Sequence, residues 1–252
     1  MTLSRNSPWR MSQLNPGEKK IEDYIIDKLA RAGSAYGFEE YEAPVLEPLQ
    51  LFKAKSGSEL AVEQSYNFID KGGRELIMRP ELTPSLARMV AASGELIYPV
   101  RWMSFPVCYR YERPQRGRVR EFMQFNLDIL GIDRLEAELD IFLVLRRLMN
   151  DLGAGSDQYV IRYSGRRLAG EVLESCGLKA DKMAQAFAVM DKKDKMKSDE
   201  WKEWAESVIT DEKEAETVIR LASCSDLESS WLRTSTGESF AYREIRKFSE
   251  ML

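Results

Sequence analysis

Between Gly17 and Tyr36 the apolar residues Ile21, Tyr24, Ile25 and Leu29 recur at helical spacing with charges opposite them, which predicts an amphipathic helix. Gly37 is placed to end it. From Phe38 to Leu46 acidic and apolar residues alternate, a strand pattern. Lys53 to Val62 is polar and reads as loop and short helix. Two apolar runs, Tyr66–Asp70 and Glu75–Met78, flank Lys71-Gly72-Gly73-Arg74 and predict a hairpin. Pro80 breaks the second of these strands, and Thr83 is placed to cap a helix from Pro84 to Ser93.

Farther along, Trp102–Val107 and Phe122–Leu130 read as strands around a polar loop punctuated by Pro114 and Gly117. Glu136 to Leu152 predicts a helix whose apolar face is Leu139, Phe142, Leu143, Leu145, Leu148 and Met149, stopped by Gly153. Gln158 to Tyr163 predicts a strand. Beyond Arg166 the pattern becomes helical, over 168–176, 179–190, 199–209 and 211–222. The lysine- and aspartate-rich stretch 191–200 reads as a solvated face.

The strand–loop–strand segment changes the picture most. Residues 109–122 hold five arginines (110, 113, 116, 118 and 120) against two glutamates in a chain of net charge -4. A guanidinium fork grips phosphate in bidentate geometry and keeps its charge at any physiological pH, so nucleotide phosphate or an RNA backbone is the first candidate ligand. On the following strand Gln124, Asn126 and Asp128 alternate with Phe125, Leu127 and Ile129, which puts the polar three on one face. A carboxylate turned inward over a sheet needs a partner, and a bound ammonium group would supply it. The alternative is a solvated sheet face.

Composition narrows the chemistry. The 252 residues are 44% hydrophobic and 31% charged, as in a globular protein. No apolar run is long enough to span a membrane, and Met1–Asn15 has no signal-peptide core. Cys108, Cys176 and Cys224 are scattered, odd in number and without a Cys-x-x-Cys pair, so neither a zinc site nor a disulfide framework is expected, and a cytoplasmic setting is. With no histidine at all, Ser-His-Asp triads, Cys-His pairs and His-ligated metals are excluded. Group transfer from ATP suits the remaining inventory, because positioning and charge neutralisation do most of that work.

Three ordered segments carry a resemblance. Arg110-Tyr111-Glu112 followed by Arg118-Val119-Arg120-Glu121-Phe122 resembles motif 2 of the class II aminoacyl-tRNA synthetases, in its histidyl-tRNA synthetase form from Tyr109 to Gly131. Met78-Arg79-Pro80-Glu81-Leu82-Thr83-Pro84 resembles that family's substrate-binding segment, and Tyr36 to Glu47 resembles motif 1. The resemblance runs from about residue 17 to about 170. It implies an α+β fold, an antiparallel sheet flanked by helices over 1–167, followed by a mostly helical insertion over 168–252. It implies histidine, ATP with Mg2+, and tRNA(His) as ligands, and a homodimer through the first helix and strand.

By the same resemblance Arg110 bridges an ATP phosphate and the amino-acid carboxylate and is the catalytic residue. Glu112, Arg118 and Phe122 join it in holding ATP. Glu81, Leu82, Thr83, Gln124 and Asp128, again with Arg110, hold the amino acid. No residue is assigned to a protein-held metal. The departures are Asp128 where the commoner pattern has Glu, Met123 and Asn126 where it has His and Gly, and no Gly-x-Arg-Asp string near the start. Motif 3 and the anticodon-binding domain are not visible before Leu252, so a shortened synthetase, weakly stable or dependent on another chain, is expected. A non-catalytic paralogue, such as the regulatory subunit of ATP phosphoribosyltransferase, is the alternative. A tRNA-binding or dimerising module is the third reading, which the acidic net charge disfavours.

Overall fold

The computed structural model describes residues 14–54, 63–111, 119–224, 226, 229–237 and 239–251. The chain divides into two compact units, 1–158 and 159–252, so the second takes in 159–167 besides the helices expected from 168.

In the first unit, α1 (Pro16–Ser34) starts at a capping box. The Asn15 side chain accepts from the Gly17 and Glu18 backbone N–H groups while Glu18 reaches back to the Asn15 N–H. Gly37, at φ 77°, closes the helix as expected. Only the C-terminal end of α1 is buried, through Leu29, Ala32 and Gly33, whereas Ile21, Tyr24 and Ile25 stay exposed.

The strand expected over Phe38–Leu46 is two short strands in different sheets, β1 (Glu39–Glu40) and β2 (Leu46–Pro48). Pro44 offers no N–H to a ladder, and the carbonyls of Ala43 and Val45 are taken by Arg79 instead. α2 (Leu49–Lys53) follows. The loop and helix expected over 53–62 lie mostly outside the described residues. β3 (Tyr66–Ile69) and β4 (Glu75–Met78) form the expected antiparallel hairpin, its turn held by Asp70 Oδ1, which accepts from the Gly72 and Arg74 N–H groups. Next comes α3 (Thr83–Ala92). Thr83 does not cap it. Leu82 occupies the N-cap without a side-chain bond, and Thr83 is the first helical residue, with Pro84 in the first turn.

Each of the two longer strands expected around the arginine loop is also split. β5 (Val100–Ser104) and β6 (Val107–Tyr109) are separated by Phe105-Pro106, and β7 (Glu121–Met123) and β8 (Asn126–Leu130) by Gln124-Phe125. The breaks face each other, with the Phe105 and Phe125 rings stacked at 5.2 Å. Among the described residues three small sheets result, in strand orders β1-β5-β8, β2-β4-β3 and β6-β7. All pairs are antiparallel except β1 with β5.

α4 (Leu135–Asp151) stops before Gly153 as expected. Its packed stripe is Ile141, Val144 and Leu148, not the wider face read from the sequence. The helix is apolar on most sides, so periodicity alone does not select the face. With Ala30 and Ala32 of α1, this stripe covers Met103, Phe125, Leu127 and Ile129 of the sheet region. The opposite face of β5 and β8, bearing Trp102, Ser104, Asn126 and Asp128, is left for the site.

The second unit is helical: α5 (Arg166–Ser175), α6 (Met183–Met190), α7 (Ser198–Val208), α8 (Glu212–Ser223), α9 (Ser230–Thr236) and α10 (Phe240–Met251), with short 3₁₀ turns at Ala180–Lys182 and Lys193–Lys195. Each helix feeds one core, for example through Leu168, Ala186, Trp201, Val218, Leu232 and Tyr242. Trp201 is buried with its Nε1–H donating to the Val189 carbonyl at 2.9 Å, which satisfies its polar atom. The strand expected over 158–163 is absent, since none of the described strands pairs with it and a strand exists through its ladder. Most of the charged stretch 191–200 is exposed, as expected.

Candidate active site

A cavity of about 320 Å³ is lined by Glu81, Leu82, Thr83, Arg110, Gln124, Asn126 and Asp128, with Phe125 and Leu127 between them. The turn into α3 brings the first three, the end of β6 brings Arg110, and β8 with the residues before it brings the rest. The volume sits at the low end of the roughly 300–1,000 Å³ common for small-molecule sites. All of the proposed amino-acid contacts meet here. Phe122 lies behind Arg110, whose Cζ is 5.0 Å from the ring centroid. Glu112 and Arg118 lie outside the described residues.

Arg110 Nε donates to the Pro80 carbonyl at 3.0 Å, which together with the Phe122 ring fixes the guanidinium. That bond does not use the Nη donors, which suit a carboxylate or phosphate. Across the sequence from it, Glu81 and Asp128 bring negative charge. The pocket thus holds one cation, two acids, two amides and a hydroxyl, a set that matches a zwitterion.

A buried and a half-buried residue hold polar groups of this pocket, and nothing in the local sequence pattern marked either of them. Cys108, fully buried, donates its thiol to Gln124 Oε1 at 3.3 Å. Burial pushes that thiol up from its ordinary pKa, so it remains a donor at neutral pH. Tyr41 donates its phenol to Asp128 Oδ2 at 3.4 Å. Burial, chiefly, pushes the Tyr41 phenol up to about 12 against the lowering effect of a hydrogen bond with Ser104, and the nearby acids Asp128 and Glu42 add to the rise. Burial likewise raises the Asp128 carboxyl, while the Tyr41 bond acts in the opposite direction.

Arg79 organises the frame around the pocket. The bonds Arg110 N–H to Arg120 O and Gln124 N–H to Pro106 O set the alternation of the β6–β7 ladder and turn Val107 and Tyr109 outward. Arg79 meets both. Its carbonyl accepts from Tyr109 N–H, and its Nε donates to the Val107 carbonyl at 3.0 Å. Nη1 donates to the Ala43 carbonyl and pairs with Glu42 Oε1 at 2.6 Å.

A small, mostly antiparallel sheet backed by helices on one face, with an arginine and two acids over the other, matches the class II aminoacyl-tRNA synthetase fold. A solved histidyl-tRNA synthetase from Nostoc sp. PCC 7120 aligns with 99% of this chain and 58% of its own at a TM-score of 0.80 and 19% identity. A Bacillus halodurans structure described as an ATP phosphoribosyltransferase regulatory subunit/histidyl-tRNA synthetase aligns with 100% and 66% at 0.79, also 19% identical. At that identity the likeness concerns fold alone.

The chain belongs to the histidyl-tRNA synthetase family, whose sequence model matches residues 10–235. A histidine–tRNA ligase of Opitutus terrae is 42% identical over 185 residues, which is 73% of this chain and 42% of the relative. Those of Leptospira biflexa and Thermoplasma volcanium are 38% and 36% identical over 74% and 82% of this chain, and 43% and 48% of their own lengths. The chain therefore spans less than half the length of these curated relatives.

Proposed function

We propose that this chain carries the amino-acid-activating site of a histidine–tRNA ligase. Histidine and ATP would react to give histidyl-adenylate and pyrophosphate, and the histidyl group would pass to tRNA(His). The observation that carries this reading is the meeting of Arg110 with Glu81, Thr83, Gln124 and Asp128 in one cavity. Those acids offer partners for the substrate ammonium and side chain, and Arg110 offers a clamp for its carboxylate.

In the proposed reaction the histidine carboxylate oxygen attacks the α-phosphorus of ATP and pyrophosphate leaves. No enzyme base is required, in keeping with a chain that has no histidine. Two anions must approach closely, and a fixed guanidinium between them lowers that repulsion. Glu112, Arg118 and Phe122 are proposed to complete the ATP site. Magnesium enters this proposal as a companion of the ATP phosphates.

The exposed Ile21, Tyr24 and Ile25 of α1 support the proposed homodimer, because an apolar stripe left in water favours a second copy. A cytoplasmic location belongs to the same proposal, and among the described residues no helix is long and apolar enough to cross a membrane. The paralogue reading shares the fold, but the sequence relatives reported above are named as ligases.

The test is histidine-dependent ATP–pyrophosphate exchange by the full chain, with Arg110→Ala as control. Exchange specific for histidine and reduced on the order of 100-fold or more in the variant is the expected result. Exchange without amino-acid preference, or unaffected by Arg110→Ala, would overturn the assignment.

A further inference from the structure

We infer that Tyr41 is a positioning residue for the pocket acid Asp128, holding its carboxylate in place for the ligand. The inference deepens the proposed function and rests on that reading for the identity of the ligand. The position of Tyr41 follows from the β1-β5-β8 sheet. β1 runs parallel to β5, with Glu39 beside Trp102 and Glu40 beside Met103, so the next residue, Tyr41, falls beside Ser104. Its own N–H donates to the Met103 carbonyl at 2.9 Å, extending the ladder by one residue.

On the other side of β5, Asp128 of β8 pairs in register with Trp102. The Tyr41 ring packs on Trp102 at 5.3 Å between centroids, and its phenol reaches Asp128 Oδ2 from that support. Residues from three adjacent strands are thereby locked into one polar arrangement over the sheet. Beneath it lies Ser104, fully buried, whose hydroxyl is close enough to the Tyr41 phenol to offset part of the rise in its pKa.

The residue type matters as much as the place. Aspartate is shorter by one methylene than the glutamate of the commoner pattern, so its carboxylate stays nearer the sheet, within reach of a group lying on β5. A tyrosine there supplies a rigid donor at small cost in side-chain entropy. The 3.4 Å separation is long for a hydroxyl–carboxylate bond, and such contacts commonly shorten once the substrate is bound. The other charged groups around the acid are Glu81 and Arg110 across the cavity and Glu42 beside Tyr41.

The experiment uses the full chain and the variants Tyr41→Phe and Asp128→Asn. Aspartate side-chain carboxyls are labelled with 13C, and the Asp128 resonance is identified by its loss in Asp128→Asn. Removing the phenol donor takes away a group that favours the carboxylate, so the Asp128 titration midpoint moves up in Tyr41→Phe. L-Histidine binding, measured by calorimetry, weakens about 3- to 10-fold at neutral pH, the range for losing one hydrogen bond, and the deficit widens as pH falls. If Tyr41→Phe does not fold, 3-fluorotyrosine placed at position 41 keeps the shape and strengthens the donor, and the midpoint moves down.

An unmoved Asp128 midpoint in a folded variant overturns the inference, whether or not histidine binds. A midpoint that moves in a chain with no affinity for histidine leaves the positioning role standing and overturns the proposed ligand. Histidine binding that is equal in wild type and Tyr41→Phe shows that the ligand does not use the positioned carboxylate, and also overturns the inference.

Discussion

Replacing Arg79 by methionine tests what holds the pocket frame together. The side chain is only 2% exposed, whereas its ion-pair partner Glu42 is 65% exposed. The two ends of this interaction therefore carry different costs. In Arg79→Met the Glu42 carboxylate turns to water, so the lost pairing contributes under about 1 kcal/mol, as for a surface ion pair. The Ala43 and Val107 carbonyls lose the donors they have from Arg79, and each buried acceptor left without one costs about 1–3 kcal/mol. Removing a buried guanidinium returns part of this through relief of its desolvation, and methionine refills the stem volume.

The net expectation for Arg79→Met is a loss of about 2–4 kcal/mol, against a smaller loss for Glu42→Gln, whose amide oxygen can still accept from the guanidinium. Urea unfolding of 5-fluorotryptophan-labelled protein reads this out, with the Trp102 resonance reporting on the first unit. Equal losses in the two variants would mean that the ion pair, rather than the carbonyls, is what Arg79 supplies. A loss under about 1 kcal/mol in Arg79→Met would refute the reasoning altogether.

Two further perturbations have outcomes set by the geometry. Gly131 sits at φ 86°, and a Cβ there would lie 2.5 Å from Tyr98 Cδ1 and 3.0 Å from Tyr98 Cβ, too near the ring's root to be relieved by a rotamer change. Gly131→Ala should therefore cost about 2–4 kcal/mol, the left-handed backbone and the overlap together, measured by denaturant unfolding; a loss under about 1 kcal/mol would show that the Tyr98 loop yields freely. Asp128 gives a pH dependence. Burial raises its folded pKa above the ordinary 3.8, so folding favours the neutral acid. That contribution is complete below 3.8, declines as pH rises through the window up to the raised folded value, and is gone above it. Asp128→Asn does not titrate, so its stability relative to wild type should rise between pH 4 and neutrality while histidine binding is lost; a difference in thermal midpoint that stays flat with pH would contradict this.

The sequence by itself determined whatever is local. The helices α1 and α4, the β3–β4 hairpin with its Gly72-Gly73 turn, and the first four helices of the second unit follow from periodicity and glycines, which act within a few positions, whereas α9 and α10 were not read individually. The alternation around Asp128 likewise carried the polar face of β8, because a pleated strand reverses its side chains at each residue. Tertiary structure decided which of those signals had partners. The run 158–163 has strand character but no neighbouring strand, and the long strands around the arginine loop break where Phe105 and Phe125 stack. α4 is apolar on too many sides to declare its own packed face, and the sheet chose Ile141, Val144 and Leu148. The site divides in the same way. Arg110 and Asp128 stood out by type and spacing and Glu81 through the resemblance of its segment, but the supports of the pocket did not. Tyr41 reaches Asp128 across 87 positions and Arg79 reaches Glu42 across 37, and contacts at such separations leave no periodic trace in the chain. The first exists because β5 brings β1 and β8 to its two edges and the second because β2 pairs with β4, and those pairings are fixed by the fold as a whole.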